Sequence, residues 1–132
     1  MKTQNTHQKM NIPNQYLPIM PYLIVKDGIA FVNFMKTVLG ATEQLIVPRN
    51  EYSIQHGELK IADAVVMFAD ATEQWKEKPA GMFIYVENVD DIFHKALENK
   101  ANILMEPALQ EYGRSAGFED PFGNHWWITE VE

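Results

Sequence analysis

The chain has 132 residues, no cysteine and a formal net charge of −7. That length suits one domain, or two small modules that share a core. The composition excludes a disulfide framework, a thiolate metal site and a cysteine nucleophile, and its acidity argues against nucleic acid or anionic lipid held by a general basic surface. The missing cysteines fit a reducing, cytoplasmic setting.

The first stretch, residues 1–17, reads as a loose polar tail, with His7 solvated in it. It has no apolar run of signal-peptide type, and nowhere does the chain approach the ~20 apolar residues of a membrane span. "LPIMPYLIVKD" (17–27) reads as a strand. "GIAFVNFMKTVLG" follows with Ile29, Val32, Met35, Val38 and Leu39 at helical spacing, Asp27 as N-cap and Gly40 just past the end. "ATEQLIVP", "YSIQHGELKIA" and "AVVMFAD" read as three more strands, closing a βαβββ unit over residues 18–70. "DATEQWKEKPAG" reads as a linker, assigned to residues 71–80, with Trp75 either a lid aromatic or packed on the flank; we expect the flank. The order then recurs over 81–132: strand "GMFIYVEN", helix "VDDIFHKALENK" with Ile92, Phe93, Ala96 and Leu97 on one side and Asn88 or Asp90 as cap, then strands "ANILMEP", "RSAGFE" and "HWWITEV". "LIVKD" (23–27) lines up with "IYVEN" (84–88), and "GAT" (40–42) with "KAN" (100–102). An internal repeat of a supersecondary unit is the strongest organisational signal here. It predicts an α+β protein of two curved mixed sheets, each backed by its own helix, whose concave faces form a cleft.

The tandem βαβββ order, with "PYLIVKD", "HGELKIADAVVMFAD", "YVENVDDIF" and above all "YGRSAGFEDPFGNHWWITEVE", resembles the vicinal oxygen chelate superfamily. That superfamily includes glyoxalase I, bleomycin-resistance proteins and extradiol dioxygenases, and the last string is similar to a stand-alone bacterial glyoxalase-like subfamily. The resemblance implies the glyoxalase/bleomycin-resistance fold. It also implies where the family's enzymes would hold a divalent metal. Those positions fall on Met20, Gly81, Trp127 and, by the repeat, near Met67. Such residues do not bind hard or borderline cations, so no metal and no other cofactor is expected.

Adjacent strand residues point to opposite faces, so Trp126 and Trp127 serve different sides. If Trp127 stands at a ligand position, it faces the cleft, and Trp126 and Ile128 face the core. The same parity puts Met20, Tyr22, Ile24, His56, Glu58, Gly81, Phe83, Tyr85, His125 and Thr129 on the cleft side. Glu130 has the parity of Trp126. His56 and Glu58 are neighbours on one face: a general acid or base oriented by its carboxylate, a relocated metal site with His125, or a structural hydrogen bond. Trp127 and Tyr85 either stack on a planar or cationic ligand or fill a cleft that has lost its metal. Arg114 either meets an anionic group of the ligand or bonds a carboxylate nearby. Tyr112 is a candidate lid residue, and Gly113 and Gly117 suggest a bent, mobile rim. His94 reads as a solvated helix residue.

The resulting expectation is a binder of a small aromatic or cationic molecule, with Tyr22, Phe83, Tyr85, Arg114, Trp127 and Thr129 as ligand contacts. The bleomycin-resistance model implies a homodimer with clefts built partly across the interface. The alternatives are a metal-dependent lyase, isomerase or dioxygenase with relocated ligands, a metal-free acid/base enzyme using His56 with Glu58, and a structural module with a closed cleft.

Overall fold

A computed structural model describes residues 11–132, so residues 1–10, His7 among them, lie outside the described residues. The elements follow in the order β1 (Tyr22–Val25), α1 (Gly28–Leu39), β2 (Thr42–Pro48), β3 (Ile54–Ile61), β4 (Ala64–Asp70), β5 (Gly81–Val86), α2 (Val89–Glu98), β6 (Asn102–Gln110), β7 (Gly113–Glu119) and β8 (His125–Glu130). They build two four-stranded sheets, ordered β1-β4-β3-β2 and β5-β8-β7-β6. In each, the first strand runs parallel to the last, and the other neighbours are antiparallel. No helix among the described residues is long and apolar enough to cross a membrane.

The first strand is shorter than its apolar run. Pro18 and Pro21 lack the N–H a ladder needs, so β1 begins only at Tyr22 and Met20 lies ahead of it. Both helices start on a side-chain cap: Asp27 accepts from the Ala30 N–H (3.1 Å) and Asn88 from the Asp91 N–H (3.0 Å). The last strand of each unit ends in a second carboxylate aimed at its helix. Asp70 accepts from the Gly28 N–H at 2.9 Å, and Glu130 from the Val89 N–H at 2.9 Å. Each carboxylate satisfies a donor that the helix itself leaves open, at the positive end of its dipole. Residue 28 must be small, because a Cβ there would sit 2.5 Å from Asp70 Oδ2.

The helix ends differ. Gly40 and Lys100 take equivalent left-handed positions, at φ 68° and 76°. Glycine adopts that region freely; a lysine there gives up roughly 1 kcal/mol. The bond from the following N–H back into the last turn is kept in both, Ala41 to Met35 O (3.1 Å) and Ala101 to Ala96 O (3.0 Å).

The helix-covered faces of both sheets merge in one core. Phe31 meets Phe68 and Phe122 edge-on, and Phe34 lies against Phe118 and Phe122. This corrects the expected face of α1. Phe31 and Phe34 are buried with Val32, Met35 and Val38, whereas Ile29 is exposed. A helix that packs on its own sheet and also on the second unit needs a wider apolar stripe than a one-sided helix.

Candidate functional site

The uncovered face of the first sheet carries a closed polar network. Glu58 on β3 is only 2% exposed, yet it is not buried against apolar groups. It accepts from Tyr16 Oη (3.0 Å to each oxygen), from Gln44 Nε2 (3.0 Å) and from His56 Nε2 (2.8 Å). Burial pushes the Glu58 pKa up. The hydrogen bonds from Gln44, His56 and Tyr16 outweigh it and hold the carboxyl below its ordinary value. His56 passes the chain on, its Nδ1 lying 2.9 Å from Tyr22 Oη. In the tautomer that donates to Glu58 through Nε2–H, His56 Nδ1 accepts a hydrogen bond from the Tyr22 hydroxyl. Burial and the Glu58 charge raise the Tyr22 pKa, and the bond to Glu58 raises that of Tyr16, so both phenols stay protonated at neutral pH.

Two members of this network were not legible in the sequence. Gln44 is the extra residue of a β-bulge: Glu43 pairs with Leu59 and Leu45 with Glu58, leaving Gln44 between them. A bulge re-aims one side chain, and period-two counting across it fails. Tyr16 belongs to the stretch read as loose tail. A short turn, Tyr16 N–H to Pro13 O (3.0 Å), brings it over Glu58; its tyrosine beside two prolines was the one available signal.

The uncovered face of the second sheet is aromatic. Phe83 and Tyr85 meet edge-on at 5.2 Å between ring centres, and Trp127 stands against His125 at 6.3 Å. Trp126, one residue away, is 2% exposed and bonds Asp120 through its indole N–H (2.9 Å), whereas Trp127 is 37% exposed. Glu58 and Gly117 occupy corresponding places: Glu58 pairs with Met67 on β4, Gly117 with Trp127 on β8. The repeat therefore puts a carboxylate in one unit where the other leaves room for an indole. A Cβ at Gly117 would collide with the Trp127 ring.

Trp127 lines a hollow of ≈ 300 Å³ with Phe83, Met105, Tyr112, Ser115 and Thr129. Tyr22 lines a separate cavity of ≈ 780 Å³ with Trp75, Arg49, Lys76 and Lys78. The cleft predicted from both concave faces is thus split within one chain. The helices pack between the sheets, so the open faces do not close on each other.

Several site expectations are corrected. Arg114 does not face the open side: alternation along β7 turns it to α2, where it grips Asp90 through two bonds of 3.0 and 2.9 Å. Those bonds lower the Asp90 pKa and raise that of Arg114. Thr129 is buried beneath the hollow that it helps to line, and shares a hydrogen bond of 2.8 Å with Ser115 Oγ. Gly113 and Gly117 lie inside β7 rather than in a loose rim. Trp75 is not packed on the flank; it is 63% exposed and lines the first cavity. His125 bonds Glu119 at 3.2 Å on the second sheet, away from His56 and Glu58. Among the described residues no group of three or more His, Cys, Asp or Glu side chains could hold a metal ion.

The model of the Glyoxalase/Bleomycin resistance protein/Dioxygenase superfamily matches residues 14–128. The chain belongs to that superfamily. Several solved structures share its fold. TioX from Micromonospora sp. ML1 does so with a TM-score of 0.72 at 20% identity, covering 87% of this chain and 98% of that one. PA1353 from Pseudomonas aeruginosa gives 0.73 at 19% identity, covering 87% and 98%. TnmS3, an antibiotic binding protein from Streptomyces sp. CB03234, gives 0.67 at 18% identity, covering 89% and 100%. In sequence, Uncharacterized protein Rv0887c of Mycobacterium tuberculosis is 28% identical over 124 residues, covering 85% of this chain and 73% of the relative.

Proposed function

We propose that this superfamily member binds a small planar aromatic molecule without a metal ion, and that a second copy of the chain closes each site. One observation carries the reading: Phe83, Tyr85 and Trp127 stand together on a sheet face, 55%, 64% and 37% exposed, with none of the described residues covering them. A cluster of large aromatics left open to water marks a surface that something else covers. The antibiotic binding protein TnmS3 is the nearest functional model among the structural neighbours named above. The positions at which enzymes of the resembled family hold metal carry Met20, Met67, Gly81 and Trp127, whose side chains offer no hard or borderline donor. A homodimer that lays the first sheet of one copy against the second sheet of the other would join the two half-sites. The acidic charge argues against nucleic-acid and membrane partners, and the cysteine-free chain suits the cytoplasm.

The test is tryptophan fluorescence with a panel of planar aromatics, paired with sedimentation. Trp127→Ala should weaken the best binder by about tenfold, since a stacked aromatic pair contributes about 0.5–1.5 kcal/mol beyond the area it buries. A monomer in solution whose binding ignores Trp127 would sink the proposal.

A second reading has one observation behind it, the Tyr22–His56–Glu58 chain. A buried carboxylate orienting an imidazole that contacts a hydroxyl is an acid/base arrangement. The raised Tyr22 pKa works against it, because a phenol held above its usual value is a poor base near pH 7. It remains a good hydrogen-bond donor, which a binder uses equally well. Exchange of ligand protons in D2O, abolished by His56→Asn, would establish catalysis; a wild-type protein that catalyses no exchange removes the second reading.

A further inference from the structure

We propose that the ligand is an anionic aromatic, an aryl carboxylate or sulfonate, whose charged group sits against Arg49, Lys76 and Lys78. This rests on the aromatic-binding reading above, in which the first sheet of one copy meets the aromatic face of the other, and adds the sign of the charge and the place where it is held. The cavity of ≈ 780 Å³ beside Tyr22 falls within the range of small-molecule sites. Tyr22 and Trp75 offer it two aromatic side chains, and three basic residues line it. Among the described residues none of the three forms an ion pair.

The one acid on the lining is Asp70, and it is already engaged. Its two oxygens accept from the Gly28 N–H (2.9 Å) and the Ile54 N–H (2.6 Å). Glu58, on the same sheet face, is capped by Tyr16, Gln44 and His56. Glu73 and Glu77 belong to the linker but do not line the cavity. What the cavity presents to a ligand is therefore positive, in a chain that is negative as a whole. Charges beyond a Debye length of about 8 Å are screened, so the nearby cations decide the sign and the net charge does not.

The site is also held in place. Lys78 pairs with the free edge of β1 through Lys78 N–H to Ile24 O (2.9 Å) and the reverse bond at 3.4 Å. The turn that presents Trp75 is closed twice, by Thr72 N–H to Trp75 O (2.8 Å) and Trp75 N–H to Thr72 Oγ1 (2.9 Å). Arg49 is steadied by its backbone N–H on Ser53 O (2.9 Å) and by long guanidinium contacts to Asp70 O (3.4 Å) and Ser53 Oγ (3.5 Å), and a guanidinium carries five N–H donors, more than these two contacts use. A linker tethered at these points loses less freedom on binding than a loose one.

The probes are 1-naphthoate, its neutral amide and 1-naphthylmethylammonium, titrated into the full-length protein at low and high salt. Naphthoate should bind about tenfold or more tighter than the amide, as expected of charge-assisted hydrogen bonds, and the advantage should shrink with salt. The double variant Arg49→Gln/Lys78→Gln should remove that advantage, so that naphthoate binds no tighter than the amide and the salt dependence disappears. Amide or ammonium binding as tight as naphthoate would overturn the charge assignment and leave the aromatic site standing. If none of the three binds, the aromatic-binding reading falls with it.

Discussion

Trp126→Ala is expected to lower the unfolding free energy by about 3–5 kcal/mol, while Trp127→Ala changes it by less than about 1 kcal/mol. The two residues are adjacent and identical, so the contrast isolates their surroundings. Trp126 is buried in the common core and its indole N–H bonds Asp120 Oδ2 at 2.9 Å. Asp120 is itself buried and accepts from the backbone N–H groups of Phe122 and Asn124 and from the Asn124 side chain, all at 2.9 Å. Removing the indole therefore opens a ring-sized cavity and strips one partner from the carboxylate that fixes the turn before β8. Trp126→Phe keeps most of the volume and loses the N–H, so it should fall between the two alanine variants. Trp127 lies on the open face above Gly117 and is 37% exposed, so its removal widens an open hollow rather than leaving a closed cavity. Urea unfolding of the three variants decides it. Equal losses for Trp126→Ala and Trp127→Ala would show that the second sheet does not have the orientation described. Against a total stability of typically 5–15 kcal/mol, the loss at Trp126 is one that many small domains do not survive.

Glu58→Ala is expected to cost about 2–3 kcal/mol, because hydrogen bonds to a buried charge contribute more than neutral ones and the donors are left without an acceptor. Tyr16, Gln44 and His56 all lose the same partner. The sign of the pH dependence follows from the lowered pKa of Glu58 in the fold. The unfolded chain binds a proton at this site more readily than the folded one. The stabilisation is therefore complete above the unfolded value, near 4.5, and is lost as the pH falls through the folded value. Thermal melts of wild type and Glu58→Gln should differ at pH 7 and converge on acidification below that range. A difference that persists unchanged at low pH would mean that the carboxylate charge has no part in the network. Limited proteolysis near Tyr16 should respond in parallel, since Glu58 is the group that holds this segment down.

The order of elements, the repeat and the alternation of faces along the strands were legible in the residues themselves. Alternation along "HWWITE" separates Trp126 from Trp127, and alternation along "IQHGELKI" sets His56 and Glu58 on the side opposite Leu59. Caps at Asp27 and Asn88 are local chemistry, complete within a few residues of the chain. These features depend on short-range geometry, which a sequence carries directly.

What the sequence could not supply depends on partners distant along the chain. The buried stripe of α1 took its width from Phe118 and Phe122, and Arg114 turned to Asp90 because α2 packs beside β7. Gln44 reached Glu58 through a bulge that no periodicity announces, and Tyr16 did so from a stretch of tail-like composition. The linker placed Lys76 and Lys78 beside Arg49 only by pairing with the edge of β1. The residues alone thus determined the fold class and which neighbours along a strand share a face. Tertiary structure decided which of them meet and separated the two half-sites, because contact between distant segments follows from packing of whole faces rather than from spacing along the chain.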